Sequence, residues 1–338
     1  METTMSNGRF YQAAAARLRR ALLALGAGVF FLMTGVHAAT ASTGTSTSAQ
    51  RDFASPDEAA QALVQAVKAQ DRQATLTVLG KDAASWLSSG DPVADRAAIE
   101  RFVAAYDAKH QLVEDKDKGK ATLTLGADDF PFAFPIVRKG ERWRFDTAAG
   151  KLEMLARRIG ENELSAIKVL QAIVDAQLDY ASVDRNGDGV PSYAQKFLSS
   201  PGKHDGLYWP VEPGQPPSPA GELLAKASSE GFKAKGGKPT PYHGYYYRPL
   251  PRQGKHAPSG PLDYEVGGRA IGGFAVLAYP ARYGNSGIMS FIVNQDGKIY
   301  QADLGPGTEA KARNMKEFDP GPGWTPVDAA KDQDGSRK

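Results

Sequence analysis

Cysteine is missing from the sequence altogether. Disulfides, thiolate nucleophiles and thiolate metal ligands are therefore excluded, and packing alone must hold the folded chain together. Histidine is scarce: five residues are scattered along 338, and none stands at zinc-ligand spacing from another histidine or an acid. An excess of one charge is also missing. The formal +3 is carried by Arg9, Arg17, Arg19 and Arg20 against Glu2, so the remainder of the chain is close to neutral. With no arginine-rich helix and no basic stripe of interleaved aromatics, nucleic acid is not an expected partner. The apolar run from Ala21 to Met33 is short for a bilayer-spanning helix, which needs about 20 residues.

That run does fit a leader. It follows Arg17-Leu18-Arg19-Arg20 and precedes Val36-His37-Ala38, the three parts of a cleavable signal peptide over residues 1–38. Cleavage after Ala38 or Ala39 is expected, giving a periplasmic or secreted chain with no stable membrane span. Residues 39–52, rich in Ser, Thr and Ala, read as a flexible linker, and 328–338 as a disordered tail. A hydrophobic fraction of 41% over this length suits two domains, at 53–150 and 151–327.

The first domain begins with helix signals. Ser55-Pro56-Asp57-Glu58 supplies a cap, a proline for the first turn and acids facing the positive dipole end. Leu63, Val64 and Val67, then Leu76, Val78 and Leu79, give apolar sides, and Ile99, Phe102, Val103 and Tyr106 predict a further amphipathic helix. From Gln111 the period changes to two. Leu123 and Leu125, then Phe130, Phe132 and Phe134, alternate with their neighbours, and the Arg138–Glu141 turn leads to a return strand at Trp143–Asp146. Helices on one face of a curved antiparallel sheet make an α+β fold. This order resembles the cone of nuclear transport factor two-like proteins, and the resemblance implies a ligand pocket that Phe130, Phe132, Phe134 and Trp143 could line.

In the second domain a helix is expected over Lys151 to Ser182, with Leu164, Ile167, Leu170, Val174 and Leu178 on its buried face. A small antiparallel sheet follows, including the strand Phe274 to Tyr279 and a hairpin turning at Asn294-Gln295-Asp296-Gly297. Helix plus loop, through Tyr180, Asp184, Asn186, Gly187 and Pro191, resemble the major pseudopilins of type II secretion. The hairpin resembles pilin-like globular domains. A folded domain precedes the helix, which departs from the pilin pattern. Read together, Ala156–Leu164, Asp205-Gly206-Leu207-Tyr208-Trp209-Pro210, Ile271-Gly272-Gly273-Phe274 and Asp303-Leu304-Gly305 resemble exported bacterial proteins of domain-of-unknown-function family 2950. That resemblance runs from Phe53 to Val327 and implies no activity.

Candidate chemistry is sparse. Asp184, Asn186 and Asp188 alternate with Gly189 in sixth place, as in calcium loops, with Val190 and Ser192 as further ligands. Position twelve is Gln195 where a bidentate Glu is usual, and a plain Asp/Asn/Gly turn explains the same residues. His204, Asp205 and Tyr208, beside Trp209, offer an acid/base pair with a stacking platform, or simply structural anchoring. Ser286 lies in a turn before a strand, unlike a nucleophile elbow. Arg157 and Arg158 with Glu161 and Glu163 could bind an anion, but helical salt bridges account for them more simply.

The leading functional expectation is a non-catalytic interaction or scaffold module that meets an envelope protein or a cell-wall component. The alternatives are a hydrolase acting on envelope glycan or peptide, and a small-ligand binder using the N-terminal cone. No cofactor is expected apart from calcium in the Asp184 loop.

Overall fold

The computed structural model describes residues 50–212, 214–230 and 240–327. The expected leader over 1–38, the linker up to residue 49 and the tail 328–338 lie outside the described residues. The chain divides into two units, up to Gly160 and from Glu161, each combining helices with largely antiparallel sheet. The architecture is α+β. Among the described residues no helix is long and apolar enough to cross a membrane.

In the first unit, α1 (Pro56–Lys68) starts where the Ser55 hydroxyl accepts the Glu58 amide. Asp71 caps α2 (Arg72–Leu79), and Asp91 caps α3 (Pro92–Ala108) by accepting the Val93 and Ala94 amides. The sheet contains β1 (His110–Asp115), β2 (Lys120–Leu125), β3 (Phe130–Pro131), β4 (Ile136–Lys139) and β5 (Arg142–Phe145). Its order is β1-β2-β4-β5, with β3 also on β2. Helix α1 packs on β4 and β5, α3 on β1 and β2, and Leu63, Leu123, Ile136 and Phe145 fill the space between them.

Two sequence expectations are corrected here. Ile99 is 47% exposed, because α3 is seated through Tyr106 and through the Phe102 ring, 5.1 Å from Phe132, and not along a wide apolar stripe. The period-two reading over Phe130–Pro135 ends at Pro131, since proline has no amide to continue a ladder. Phe130 is left 56% exposed beneath the Arg157 guanidinium, while Phe134 stacks on Trp86.

Asp146 accepts the Ala149 amide and starts α4 (Thr147–Ala181), so Gly150 lies inside the helix and not at a joint. A Cβ there would stand 2.1 Å from the Phe134 ring, so close packing requires the glycine.

The second unit takes up the rest of α4. Its buried face carries Ala166, Leu170, Ile173 and Val174, but also Asn162, Glu163, Gln177 and Tyr180, while Leu178 is 49% exposed. The apolar reading of this face slipped because its polar members are paired. Asn162 donates to the Ser286 carbonyl, Glu163 accepts the Ile288 and Met289 amides, and Gln177 both donates to and accepts from the Ala194 backbone.

After the short α5 (Gly221–Ser229) come β6 (Tyr245–Leu250), β7 (Arg252–Gln253), β8 (Leu262–Asp263), β9 (Ala275–Pro280), β10 (Met289–Asn294) and β11 (Tyr300–Asp303). Helix α6 (Thr308–Asn314), β12 (Glu317–Phe318) and β13 (Thr325–Pro326) complete the unit. One sheet runs β13-β11-β10-β9-β6 and a smaller one β12-β7-β8. The expected hairpin is β10–β11, with Ile292 opposite Tyr300 and Gly297 at φ +72 in its turn. Ala312 of α6 joins Leu250, Leu277, Ile292 and Phe318 in the core of the unit.

Candidate functional site

The Asp184 loop is tied to its own backbone. Asp184 accepts the amides of Gly187, Asp188 and Gly189; Asn186 accepts the Asp188 amide and donates to its carboxylate. Asp188 accepts the Val190 amide and meets the Arg269 Nε at 2.9 Å. That bond from the guanidinium leads the interactions that hold the Asp188 carboxyl below its ordinary range. Arg269 thus supplies the positive charge that this carboxylate draws. Val190 is half-buried and Ser192 buried. Among the described residues no three His, Asp or Glu side chains gather where one ion could be held.

Arg269 belongs to a hairpin tip that the loop anchors. Val266 and Arg269 exchange backbone hydrogen bonds across Gly267 and Gly268, both at positive φ, as the primed hairpin turn requires. Further ties run from Arg269 to the Asp188 carbonyl, from Gln195 to the Gly268 carbonyl and from the Tyr193 amide to the Ala270 carbonyl. The tip nevertheless presents aliphatic surface to water, with Val266 53% and Ile271 48% exposed. Beside it opens a cleft of about 170 Å³, with Gln177, Phe197, Pro249, Pro251 and Phe274 in its walls.

His204, Asp205 and Tyr208 direct their groups to different partners. The Asp205 carboxylate accepts from Lys196 at 2.7 Å and from the Ser200 amide and hydroxyl, and its pKa is pushed far down, first by the Lys196 bond. The His204 ring covers the face of Trp209 at 4.2 Å, and its carbonyl accepts the Tyr180 hydroxyl. Tyr208 pairs through its backbone with Phe197 and Ser199. The side-chain bonds here fasten a loop, and one face of Trp209 is covered by the His204 imidazole.

Other singled-out residues are structural in the same way. Ser286 is fully buried, its hydroxyl accepting the Arg282 amide. Arg157 pairs with Glu153, and Arg158 donates to the Trp86 and Leu87 carbonyls.

Sequence reading missed one pair. The His256 Nδ1 lies 2.9 Å from an Asp319 carboxylate oxygen, and the His256 amide donates to the other oxygen. Asp319 lines an open groove of about 430 Å³ with Arg252, Lys255, Asp263 and Glu317. The parallel pairing of β12 with β7 brings these segments together, and no local spacing signals it.

Comparison with known proteins places residues 50–327 in a match to the family described as Protein of unknown function (DUF2950). No curated protein and no solved structure matches the chain.

Proposed function

The chain belongs to the DUF2950 family, and from that premise we propose that it is an exported envelope protein acting as a non-catalytic interaction module. The observation that carries this is the hairpin tip at Val266–Ile271. Backbone and Arg269 bonds hold it in one shape while its two aliphatic side chains face water. Burying the exposed half of each against a partner contributes about 1 kcal/mol, and a pre-ordered tip loses little entropy on docking. The partner is an envelope protein. The three-part leader over residues 1–38 supports export to the periplasm or beyond.

Two finer architectural readings accompany this proposal. Helices followed by a twisted antiparallel sheet support a nuclear transport factor two-like cone for the first unit. A long helix leading into an antiparallel sheet supports a pilin-like second unit.

The test is a pull-down from periplasmic extract with the mature protein. A specific partner is recovered by the parent and lost with Val266→Asp or Ile271→Asp. Reproducible recovery of nothing, across growth conditions, removes the proposal.

A hydrolase acting on envelope glycan or peptide is the second reading, and its support moves from His204 and Asp205 to His256 and Asp319. There a carboxylate orients a partly exposed imidazole beside a groove. Incubation with purified peptidoglycan decides it: release of soluble fragments by the parent but not by His256→Gln supports this reading, and no release ends it.

A further inference from the structure

We propose that the cleft beside the hairpin tip receives a single basic side chain, of lysine type, from an extended segment of the protein partner. This rests on the interaction reading above and names what its central pocket selects.

Size comes first. Small-molecule sites occupy about 300–1,000 Å³, whereas this cleft measures about 170 Å³. One side chain fits it; a cofactor or an oligosaccharide does not.

Chemistry narrows the choice further. Phe197, Pro249, Pro251 and Phe274 make walls that favour an aliphatic stem. The polar side chains at the cleft are already engaged, with one exception. Gln177 spends both its polar atoms on the Ala194 backbone, and the Tyr264 hydroxyl donates to Gln253. Two ionisable residues of opposite sign, Lys196 and Glu265, are among the lining residues together with Tyr264. The Lys196 ammonium is held by Asp205 at 2.7 Å and Ser200 at 2.8 Å. Glu265, which is exposed, forms no ion pair or hydrogen bond among the described residues. The nearby guanidinium of Arg269 is committed to Asp188. What remains is an apolar slot with one uncompensated carboxylate, and its complement is an unbranched apolar stem ending in a cation.

The rim supports the same occupant. Val266 and Ile271 are the chain neighbours of the lining residues Glu265 and Ala270 and are both half-exposed, so an occupant's flanking residues have aliphatic surface close by. A buried anchor surrounded by apolar contacts is how interfaces concentrate their binding energy.

The experiment titrates the isotope-labelled mature chain with two peptides, acetyl-Ala-Val-Lys-Val-Ala-amide and the same peptide with norleucine for lysine. Norleucine keeps the stem and removes the ammonium. Backbone resonances of residues 264–276 should shift saturably with both. The lysine peptide should bind at least fivefold more tightly at low salt, with the advantage shrinking at high salt. Glu265→Gln, an exposed substitution that should fold normally, should bring the two peptides within twofold of each other and leave the norleucine peptide unchanged.

Equal affinities for the parent, no shifts at these residues, or discrimination surviving in Glu265→Gln would each overturn the proposal. The interaction reading is judged separately, by whether Val266→Asp and Ile271→Asp lose the captured envelope partner.

Discussion

Gly321 stands so close to His256 that a methyl group on the glycine would come within 2.4 Å of the imidazole Nδ1. Gly254 is related to Asp319 in the same way, its missing Cβ lying 2.6 Å from the carboxyl carbon. Neither glycine is at a positive φ, so close approach and not backbone conformation calls for them. The second unit is shaped on two sides around one histidine–aspartate pair.

Gly321→Ala should therefore destabilise the protein by about 1–3 kcal/mol, the usual cost of overpacking. Denaturant unfolding measures it, and the added substitution His256→Ala should recover part of the loss. A Gly321→Ala chain as stable as the parent would show that the imidazole yields without cost.

The same pair predicts a pH dependence. Burial alone would raise the Asp319 carboxyl, but hydrogen bonds from the His256 ring and amide bring it below its ordinary value. A carboxylate depressed in the folded state contributes stability above its unfolded pKa, about 3.9, and that contribution is lost as the pH falls through the folded value. Asp319→Asn should cost about 1 kcal/mol at neutral pH, and the gap to the parent should close below about pH 4. Unfolding midpoints of both chains between pH 7 and pH 2 test the sign; a gap undiminished at the acid end contradicts it.

At Gly150 two effects oppose each other. Helix propensity favours Gly150→Ala by about 1 kcal/mol, but the new methyl group would meet the Phe134 ring. Overpacking at a buried ring costs about 1–3 kcal/mol, so the expected result is a lower melting temperature. A rise would mean that the ring moves aside.

Arg269→Gln removes the cation beside Asp188. If calcium and the guanidinium compete for that carboxylate, chelator-treated variant should bind calcium more tightly than the parent in calorimetric titration. The hairpin tip should also loosen, seen as faster amide exchange at Tyr193, which donates to the Ala270 carbonyl, and at Gly272. Identical calcium heats for the two proteins would separate the loop from any metal role.

Local features were legible in the sequence where one short segment holds the whole cause. Ser55 and Pro56 start a helix because cap and first turn are adjacent, and Asn294–Gly297 turns a hairpin because glycine takes the positive φ. Reading failed where polar groups are buried in pairs. Apolar periodicity assigned Leu178 to the core face of α4 and passed over Gln177, because hydrophobic counting cannot see that Ala194 satisfies the amide. Gly150 looked like a joint because its reason, the Phe134 ring, arrives from elsewhere in the fold. The His204–Asp205 neighbourhood drew attention because its residues are adjacent, and adjacent side chains found separate partners. His256 and Asp319, 63 positions apart, escaped for the opposite reason.

The parallel pairing of β12 with β7 also sets a timetable. Arg252 meets Glu317 across 65 positions, and Phe318, wholly enclosed, plugs the core beside them. A nascent polypeptide must be synthesised that far before this hydrophobic interior can seal. Until then the second unit stays unfinished, its apolar surface open to whatever guards unfolded chains.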